Sequence, residues 1–295
     1  MAAAAAADVV IHELHRPQEL KAAQRLFEEI WRPAEGDPPP MTAELLRALA
    51  HAGSYVAGAF AGGVRPEGRP GGSGARLVGA SAGFFTAPAE LGPRAAPHPG
   101  PRLGLHSHIT GVAPGGQHRG VGFALKVHQR AWALARGITV VAWTFDPLVA
   151  RNAWFNLAKL GARPTAYLED FYGPMTDAVN AGVASDRLLV AWRLDDPAVA
   201  AACAGRPRQP PPAEAEPALT VGPGLEPVAH RPDTPAVTVA LPPELDALDP
   251  GQRRAWRQAV RDALGARLAA GSAVTGFLRQ PDRYLVEPSE PAGRP

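Results

Sequence analysis

Apolar residues along the chain alternate between stretches with the spacing of a helix and stretches with the spacing of a strand. Helices are predicted at Pro17–Trp31, Ala43–Ala50, Val149–Leu160 and, after a glycine-rich turn, in the stretch that Gln117–Gly122 enters. Strands are predicted at Val9–Leu14, Ser54–Ala61, Leu77–Thr86, Leu103–Val112, Ile138–Phe145 and Leu188–Leu194. Since helices follow strands through much of the chain, we expect a mixed α/β fold.

Cap and turn residues mark the ends of these elements. Thr42 is suited to cap the second helix, and Gly161 is suited to end the helix that stops at Leu160. Gly62–Ala75 and Pro88–Pro101 are rich in glycine, proline or both, which predicts two loops between neighbouring strands.

The last third of the chain has a pattern of its own. Ala204–Pro235 has the proline, glutamate and alanine content of a linker. Beyond it we predict a strand at Val237–Leu241, a helix from Pro250 to about Ala270 that Asp249 caps, and a hairpin of Ala273–Leu278 with Arg283–Val286. We therefore divide the chain into a domain at 1–200, a proline-rich linker at 201–235 and a strand–helix–hairpin extension at 236–295. So short an extension makes a marginal core alone, and we expect it to dock on the preceding domain.

Composition excludes several classes of protein. The 295 residues are 46% hydrophobic and carry a net charge of +2, which does not favour nucleic acid as a partner. Cys203 is the only cysteine, so an intrachain disulfide or a multi-cysteine zinc site is impossible. The start, MAAAAAADVV, does not resemble a signal peptide, and no apolar run reaches the ~18 residues of a membrane span. We expect a cytoplasmic protein with no membrane partner.

The strongest chemical signal is the stretch VAPGGQHRGVGFALKVHQRAWALARG at Val112–Gly137. A strand ends at Val112 and Ala113, a Pro-Gly-Gly turn follows, and a helix begins near Gly120. The first amides of a helix have no partner within it and attract phosphate, and glycine allows close approach to the backbone. Arg119 and Lys126 add positive charge nearby. The pattern predicts a pyrophosphate-binding turn.

The order of residues in this turn matches neither a Walker loop nor the dinucleotide fingerprint. Gln117, Gly120 and Gly122 form Gln-x-x-Gly-x-Gly, which resembles the coenzyme A signature of the GCN5-related N-acetyltransferase superfamily. The blocks WTFDPL, NLAKLGA, FYG and SDRLLVAW are similar to those of a poorly characterised branch of it. The resemblance follows the element order from Val9 to Leu194, and its specific motifs lie within Leu103–Ala162.

This resemblance implies a largely antiparallel mixed sheet flanked by helices, with acetyl-CoA or another acyl-CoA as cosubstrate and no metal. In the family the strand before the turn diverges from its neighbour, so that its backbone pairs with pantetheine. The cofactor-binding residues implied here are Val112, Ala113, Gln117, His118, Arg119, Gly120, Val121, Gly122, Asn152 and Asn156.

Acyl transfer to an amine requires a base, and relatives that use direct attack carry one on the strand before the turn. The matching position is His106, with His108 as second choice, and alternation places both on one strand face with Thr110. Both histidines could equally be hydrogen-bonded structural residues. A metal at His-x-His is disfavoured because no third ligand is evident.

Two further residues are candidates for the chemistry. Asp146 could be a second base or an orienting carboxylate, and it could equally cap the helix after Pro147. Many relatives have a tyrosine that protonates the departing thiolate, but Leu157 holds that position. Tyr172 is the candidate acid, with Tyr167 beside it.

We therefore expect an N-acyltransferase that moves an acetyl or another short acyl group, such as succinyl, from CoA to the amine of a small molecule such as an amino acid. The alternative is a non-catalytic acyl-CoA-binding or interaction module with the same fold. A homodimer is compatible with either.

Overall fold

The computed structural model describes residues 2–62, 75–87, 103–116, 119–173, 184–207 and 214–289. These residues divide into two compact units, one that ends at Val141 and one that begins at Ala142. Most of the two loops predicted between strands lies outside the described residues, as do Gln117 and His118.

Unit 1 contains four antiparallel strands in chain order, with helices against them. Its elements are α1 Ala2–Ala6, β1 Val10–Glu13, α2 Pro17–Trp31, α3 Ala43–His51, β2 Val56–Ala61, β3 Arg76–Thr86, β4 Gly104–Val112, α4 Val121–Leu134 and the first two residues of β5 Val140–Phe145. β1 pairs with β2, β2 with β3, and β3 with β4. The predicted cap is confirmed, because Thr42 Oγ1 accepts a hydrogen bond of 3.1 Å from the N–H of Leu45.

Two apolar clusters hold unit 1 together. One lies around Phe27 and Leu46, on the helices α2 and α3, and includes Val56 of β2. The other joins α1 and α4 to the sheet through Val121 and Leu125. A Cβ at Gly79 in β3 would lie 3.0 Å from Val121 and 3.1 Å from Leu125, so glycine at position 79 lets α4 approach the sheet closely.

Unit 2 contains the rest of β5 and two further groups of strands. Its elements are α5 Ala150–Ala153, β6 Arg163–Leu168, β7 Arg187–Arg193, α6 Pro197–Cys203, β8 Glu216–Val221, β9 Pro227–Ala229, β10 Val237–Ala240, α7 Pro250–Val260, α8 Ala266–Ala269, β11 Ser272–Leu278 and β12 Arg283–Pro288. The strands follow the order β5-β7-β6 in one group and β11-β12-β10-β8-β9 in the other. In the second group β8 and β10 are parallel, whereas the pairs β11–β12, β12–β10 and β8–β9 are antiparallel.

The structure departs from the predicted elements in unit 2. The helix expected at Val149–Leu160 has one α-helical turn and continues as a π-helix at Trp154–Lys159, and α7 likewise continues as a π-helix at Arg261–Gly265. The strand β6 was not predicted, since Pro164 breaks its apolar pattern. The predicted linker at 201–235 contains the strands β8 and β9, so its composition hides secondary structure.

The molecule is thus a mixed α/β protein with a large, mostly antiparallel sheet flanked by helices, as the resemblance implies. The predicted strand, capped helix and hairpin after residue 236 are present: Asp249 Oδ1 accepts from the N–H groups of Gly251 at 2.7 Å and Gln252 at 2.9 Å. Among the described residues, no helix is both long and apolar enough to cross a membrane.

Candidate functional site

The glycine-rich turn follows the end of β4 directly. Ala113 donates its N–H to the carbonyl oxygen of Val78 in β3 at 2.9 Å. Because backbone groups alternate in direction along an antiparallel strand, the N–H and C=O of Val112 point away from β3. A 3₁₀ turn at Pro114–Gly116 then turns the chain towards α4.

Gly120 is the N-cap of α4 and has a left-handed backbone, with φ of 82°. A side chain at this φ is strained, and among the described residues a Cβ there would meet only Ala7, at 3.8 Å. Val121 is buried and anchors the first turn, whereas a Cβ at Gly122 would lie 3.7 Å from Val112. The first amides of α4 therefore begin at a turn without side-chain cover at Gly120 and Gly122, which fits an anion such as pyrophosphate.

The two cations predicted near this turn differ in their placement. The side chain of Arg119 is 59% exposed and lies 3.9 Å from Asp8, a surface ion pair that leaves the guanidinium in solvent. Lys126 is buried instead, which contradicts the expectation that it adds charge at the phosphate site.

The strand β4 contains a bulge at Ser107 and His108. These two residues lie opposite the single residue Gly83 of β3, because the flanking pairs are Ala82 with Ile109 and Phe84 with His106. A Cβ at Gly83 would lie 2.6 Å from the carbonyl oxygen of His106, so glycine is required at position 83.

The bulge corrects the prediction that Thr110 shares a face with the two histidines. Thr110 bonds Ser81 through their hydroxyl groups at 2.8 Å, and Ser107 bonds Lys126 of α4. Strict alternation would put Ser107 and Thr110 on opposite faces, but the extra residue brings both to the α4 side of β4. His106 is thereby directed to the opposite face.

His106 and His108 remain neighbours despite the bulge. Their ring centroids are 6.2 Å apart, and Phe84 lies 5.1 Å from the ring of His106 and 5.7 Å from that of His108. Desolvation lowers the pKa of His108, which favours the neutral imidazole that a general base requires. The structure therefore brings the two candidate bases together on one partly exposed aromatic surface.

The burial of Lys126 is a feature that the sequence analysis missed. Its amine donates to Ser107 Oγ at 2.8 Å and to Gln129 Oε1 at 3.3 Å, and burial lowers its pKa from 10.5 to about 7. The Nε2 atom of Gln129, a residue that is 0% exposed, has no hydrogen-bond partner in the described part of the chain. The sequence contained a signal for the burial of Gln129, because Gln129 lies four residues after Leu125 and three before Trp132 in the apolar stripe of α4.

Asp146, in unit 2, is held in a structural ion pair. Arg257 of α7 donates to both its carboxylate oxygens, at 2.6 and 2.7 Å, and the N–H of Leu148 donates to Oδ1 at 2.8 Å. Asp146 does not cap α5, because the N-cap of that helix is Val149 and no side chain caps it; the bond from Leu148 lies in the turn before the helix. The prediction of a second base also disagrees with the geometry, because a buried arginine and an amide engage the oxygens that would take the proton.

Arg261, which also belongs to the C-terminal extension, forms an ion pair with a second acidic residue, Asp186. Arg261 donates to both oxygens of the fully buried Asp186, at 2.6 and 3.0 Å. Burial acts to raise the pKa of Asp186, but hydrogen bonds from Arg261, the Asp170 amide and Tyr167 outweigh it and lower that pKa. Tyr167 donates to Asp186 at 2.7 Å, so it is committed to this network and is a poor candidate acid.

Tyr172 is exposed and is the better placed of the two tyrosines. Its hydroxyl lies 3.5 Å from Thr144 Oγ1 in β5, and the guanidinium of Arg187 lies 5.1 Å from its ring centroid.

The two asparagines predicted to contact the cofactor differ. Asn156 is buried, and its Oδ1 accepts from Trp143 Nε1 at 3.2 Å, so it supports the core and is not available as a cofactor ligand. Asn152 is partly exposed on α5 and remains a candidate. Leu157 is buried, which agrees with an apolar residue in place of the family's tyrosine.

No group of three potential metal ligands occurs among the residues that the structure describes. No family model matches the sequence, and no curated protein matches it.

Solved structures similar to this one are acetyltransferases. The NAA60 protein of Arabidopsis thaliana, in complex with a bisubstrate analogue, has a TM-score of 0.45 at 16% identity, over 63% of this chain and 98% of that chain. The N-acetyltransferase of Staphylococcus aureus Mu50 has a TM-score of 0.44 at 13% identity, over 63% and 99%. The ribosomal-protein-S18-alanine N-acetyltransferase of Escherichia coli has a TM-score of 0.43 at 14% identity, over 64% and 95%. Since each of these scores lies below 0.5, the functional inference depends on the chain's own geometry.

Proposed function

We propose that the protein is an acyl-CoA-dependent N-acyltransferase. The observation that carries this proposal is the turn between β4 and α4, where Gly120 caps the helix with a left-handed backbone and no side chain. Such a turn suits the pyrophosphate of coenzyme A, and the outward N–H and C=O of Val112 suit an amide-bearing chain such as pantetheine. When bound, the acyl-CoA supplies the thioester.

His106 is the proposed general base, with His108 as the alternative. The acceptor is an ammonium at neutral pH, and an imidazole with an ordinary pKa of ~6.5 can take its proton. The freed amine then forms a bond to the thioester carbon, the nitrogen loses its second proton to water, and the carbon–sulfur bond breaks. Tyr172 is the proposed donor of the proton to the departing thiolate, and water is the alternative donor.

The proposed acceptor is a small primary amine such as an amino acid, and the acyl group is acetyl or another short group such as succinyl. The aromatic surface of Phe84, His106 and His108 supports a small acceptor with an apolar part, because Phe84 is 37% exposed. The alternative function, an acyl-CoA-binding module without catalysis, gains some support from Asp146, whose engagement by Arg257 removes one candidate base.

Thiol release distinguishes the two functions. Purified protein is mixed with acetyl-CoA or succinyl-CoA, a panel of amino acids and a peptide with a free N-terminus, and free thiol is measured over time. The enzyme predicts amine-dependent release that is lost in His106→Ala together with His108→Ala. Binding of acyl-CoA without amine-dependent release from any member of the panel would favour the module.

A further inference from the structure

The five-stranded sheet of unit 2 contains a groove that the proposed acyltransferase chemistry does not use. Its volume is about 390 Å³, which is within the range of small-molecule sites. Its lining includes Leu219 of β8, Leu278 of β11 and Leu285 of β12, and it is mostly apolar.

The register of the strands defines the floor of the groove. Thr238 of β10 lies opposite Leu285 of β12, and Ala240 lies opposite Arg283. All four side chains therefore belong to one face of the sheet, and the intervening Tyr284 points to the other face, where its hydroxyl donates to the carbonyl oxygen of Pro147 at 2.7 Å. The floor is thus a fixed part of a packed sheet.

Arg283 is the one charged side chain among the described residues that line this groove. No hydrogen bond or ion pair of its guanidinium is present within the described chain, whereas its neighbour Arg279 contacts Asp282 at 3.5 Å. Thr220, a polar residue of the same lining, is already bonded to His230 at 2.7 Å. The groove therefore combines a mostly apolar lining with one cation that has no counter-ion among the described residues.

We propose that this groove binds an aliphatic monocarboxylate of medium chain length, with its tail along the partly exposed Leu278 and Val221 and its carboxylate on the guanidinium of Arg283. A carboxylate matches the planar donors of arginine. The apolar lining favours an aliphatic tail over a polar one. A dicarboxylate or a sugar acid would leave a charge or hydroxyl groups against apolar side chains without partners.

Octanoate is the probe, and calorimetry on the full chain is the measurement. We expect octanoate to bind wild type, and affinity to rise by up to about fourfold for each methylene added from hexanoate to octanoate, because each buried methylene contributes ~0.8 kcal/mol. Octanol has the same tail without the charge, and should bind at least about tenfold more weakly.

Arg283→Gln tests the cation, and Arg279→Gln is the matched control, because Arg279 lies on the turn before Arg283 and is largely exposed. We expect Arg283→Gln to weaken octanoate about tenfold or more and Arg279→Gln to leave it unchanged. Thr238→Trp, which fills the groove, should abolish binding, with far-UV circular dichroism as a check on folding. The proposal is overturned if wild type does not bind octanoate, if Arg283→Gln binds it as well as wild type, or if octanol binds equally well.

Discussion

Replacing Lys126 by methionine tests the electrostatics of the interior of unit 1. Lys126 is 5% exposed, and two of the groups that accept its hydrogen bonds, Ser107 and Gln129, carry no charge. Burial lowers its pKa from 10.5 to about 7, so the folded protein holds a neutral amine above pH 7 while the unfolded chain holds an ammonium. Methionine has a similar length and does not titrate.

The sign follows from the protons bound in each state. Between about pH 7 and 10.5 the unfolded chain binds one more proton than the folded one, so the free energy of unfolding of wild type rises with pH. The slope approaches ~1.4 kcal/mol per pH unit at most. Across two pH units we therefore expect the difference between wild type and Lys126→Met to shift by ~1–3 kcal/mol in favour of wild type.

Urea unfolding at pH 7.5, 8.5 and 9.5, followed by circular dichroism, measures this difference. The hydrogen bonds that Ser107 and Gln129 lose in the variant add an offset that does not change with pH. Lys21→Met is the matched control, because Lys21 is exposed on α2, and its difference from wild type should stay constant. If the difference for Lys126→Met also stays constant with pH, the amine of Lys126 is charged in the folded protein and the reasoning is refuted.

Three further predictions concern catalysis and the C-terminal extension. His106→Ala should lower turnover about 10²–10⁴-fold without changing CoA affinity, whereas His51→Ala, at an exposed histidine of α3, should change neither; unchanged turnover would transfer the role to His108 or to water. Arg257→Met should cost about 3–5 kcal/mol of unfolding free energy, because it leaves the largely buried Asp146 carboxylate without its cation, and adding Asp146→Leu should recover most of it; an additive double variant would contradict this. A chain stopped after Pro197 should precipitate or lose stability, since it lacks the arginines that pair with Asp146 and Asp186; a monomeric fragment as stable and active as the full chain would disprove docking of the extension.

The elements of unit 1 could be predicted closely because local signals agree there with the packing. Pro17–Trp31 has the same ends in the sequence pattern and in the structure, and Thr42 caps α3 as its side chain suggests. The strand before the glycine-rich turn and the helix after it were also placed correctly. In each case one apolar face coincides with one buried face.

The features that could not be predicted depend on pairing between distant residues. The bulge in β4 depends on its register with Gly83 of β3. The alternation of side chains along a strand, which the sequence analysis used, does not indicate a bulge. From the sequence alone, Asp146 could be a base or a cap. Its ion pair with Arg257, 111 residues later, could not be predicted. Asn156 lies in the π-helix at Trp154–Lys159 and accepts a hydrogen bond from Trp143. The predicted α-helix did not indicate which way the side chain of Asn156 points.

The most direct test of the central claim is calorimetry of CoA with variants of Gly120. Gly120→Asp and Gly120→Asn impose similar backbone strain at φ of 82°, but only aspartate adds a negative charge at the start of α4. Gly137→Asp is the second control, because Gly137 also has a positive φ, of 72°, and lies beyond the other end of the same helix. We predict that wild type and Gly137→Asp bind CoA alike, that Gly120→Asn binds more weakly, and that Gly120→Asp loses at least a further tenfold. Equal affinity of wild type and Gly120→Asp for CoA would contradict the assignment of this turn as the pyrophosphate site.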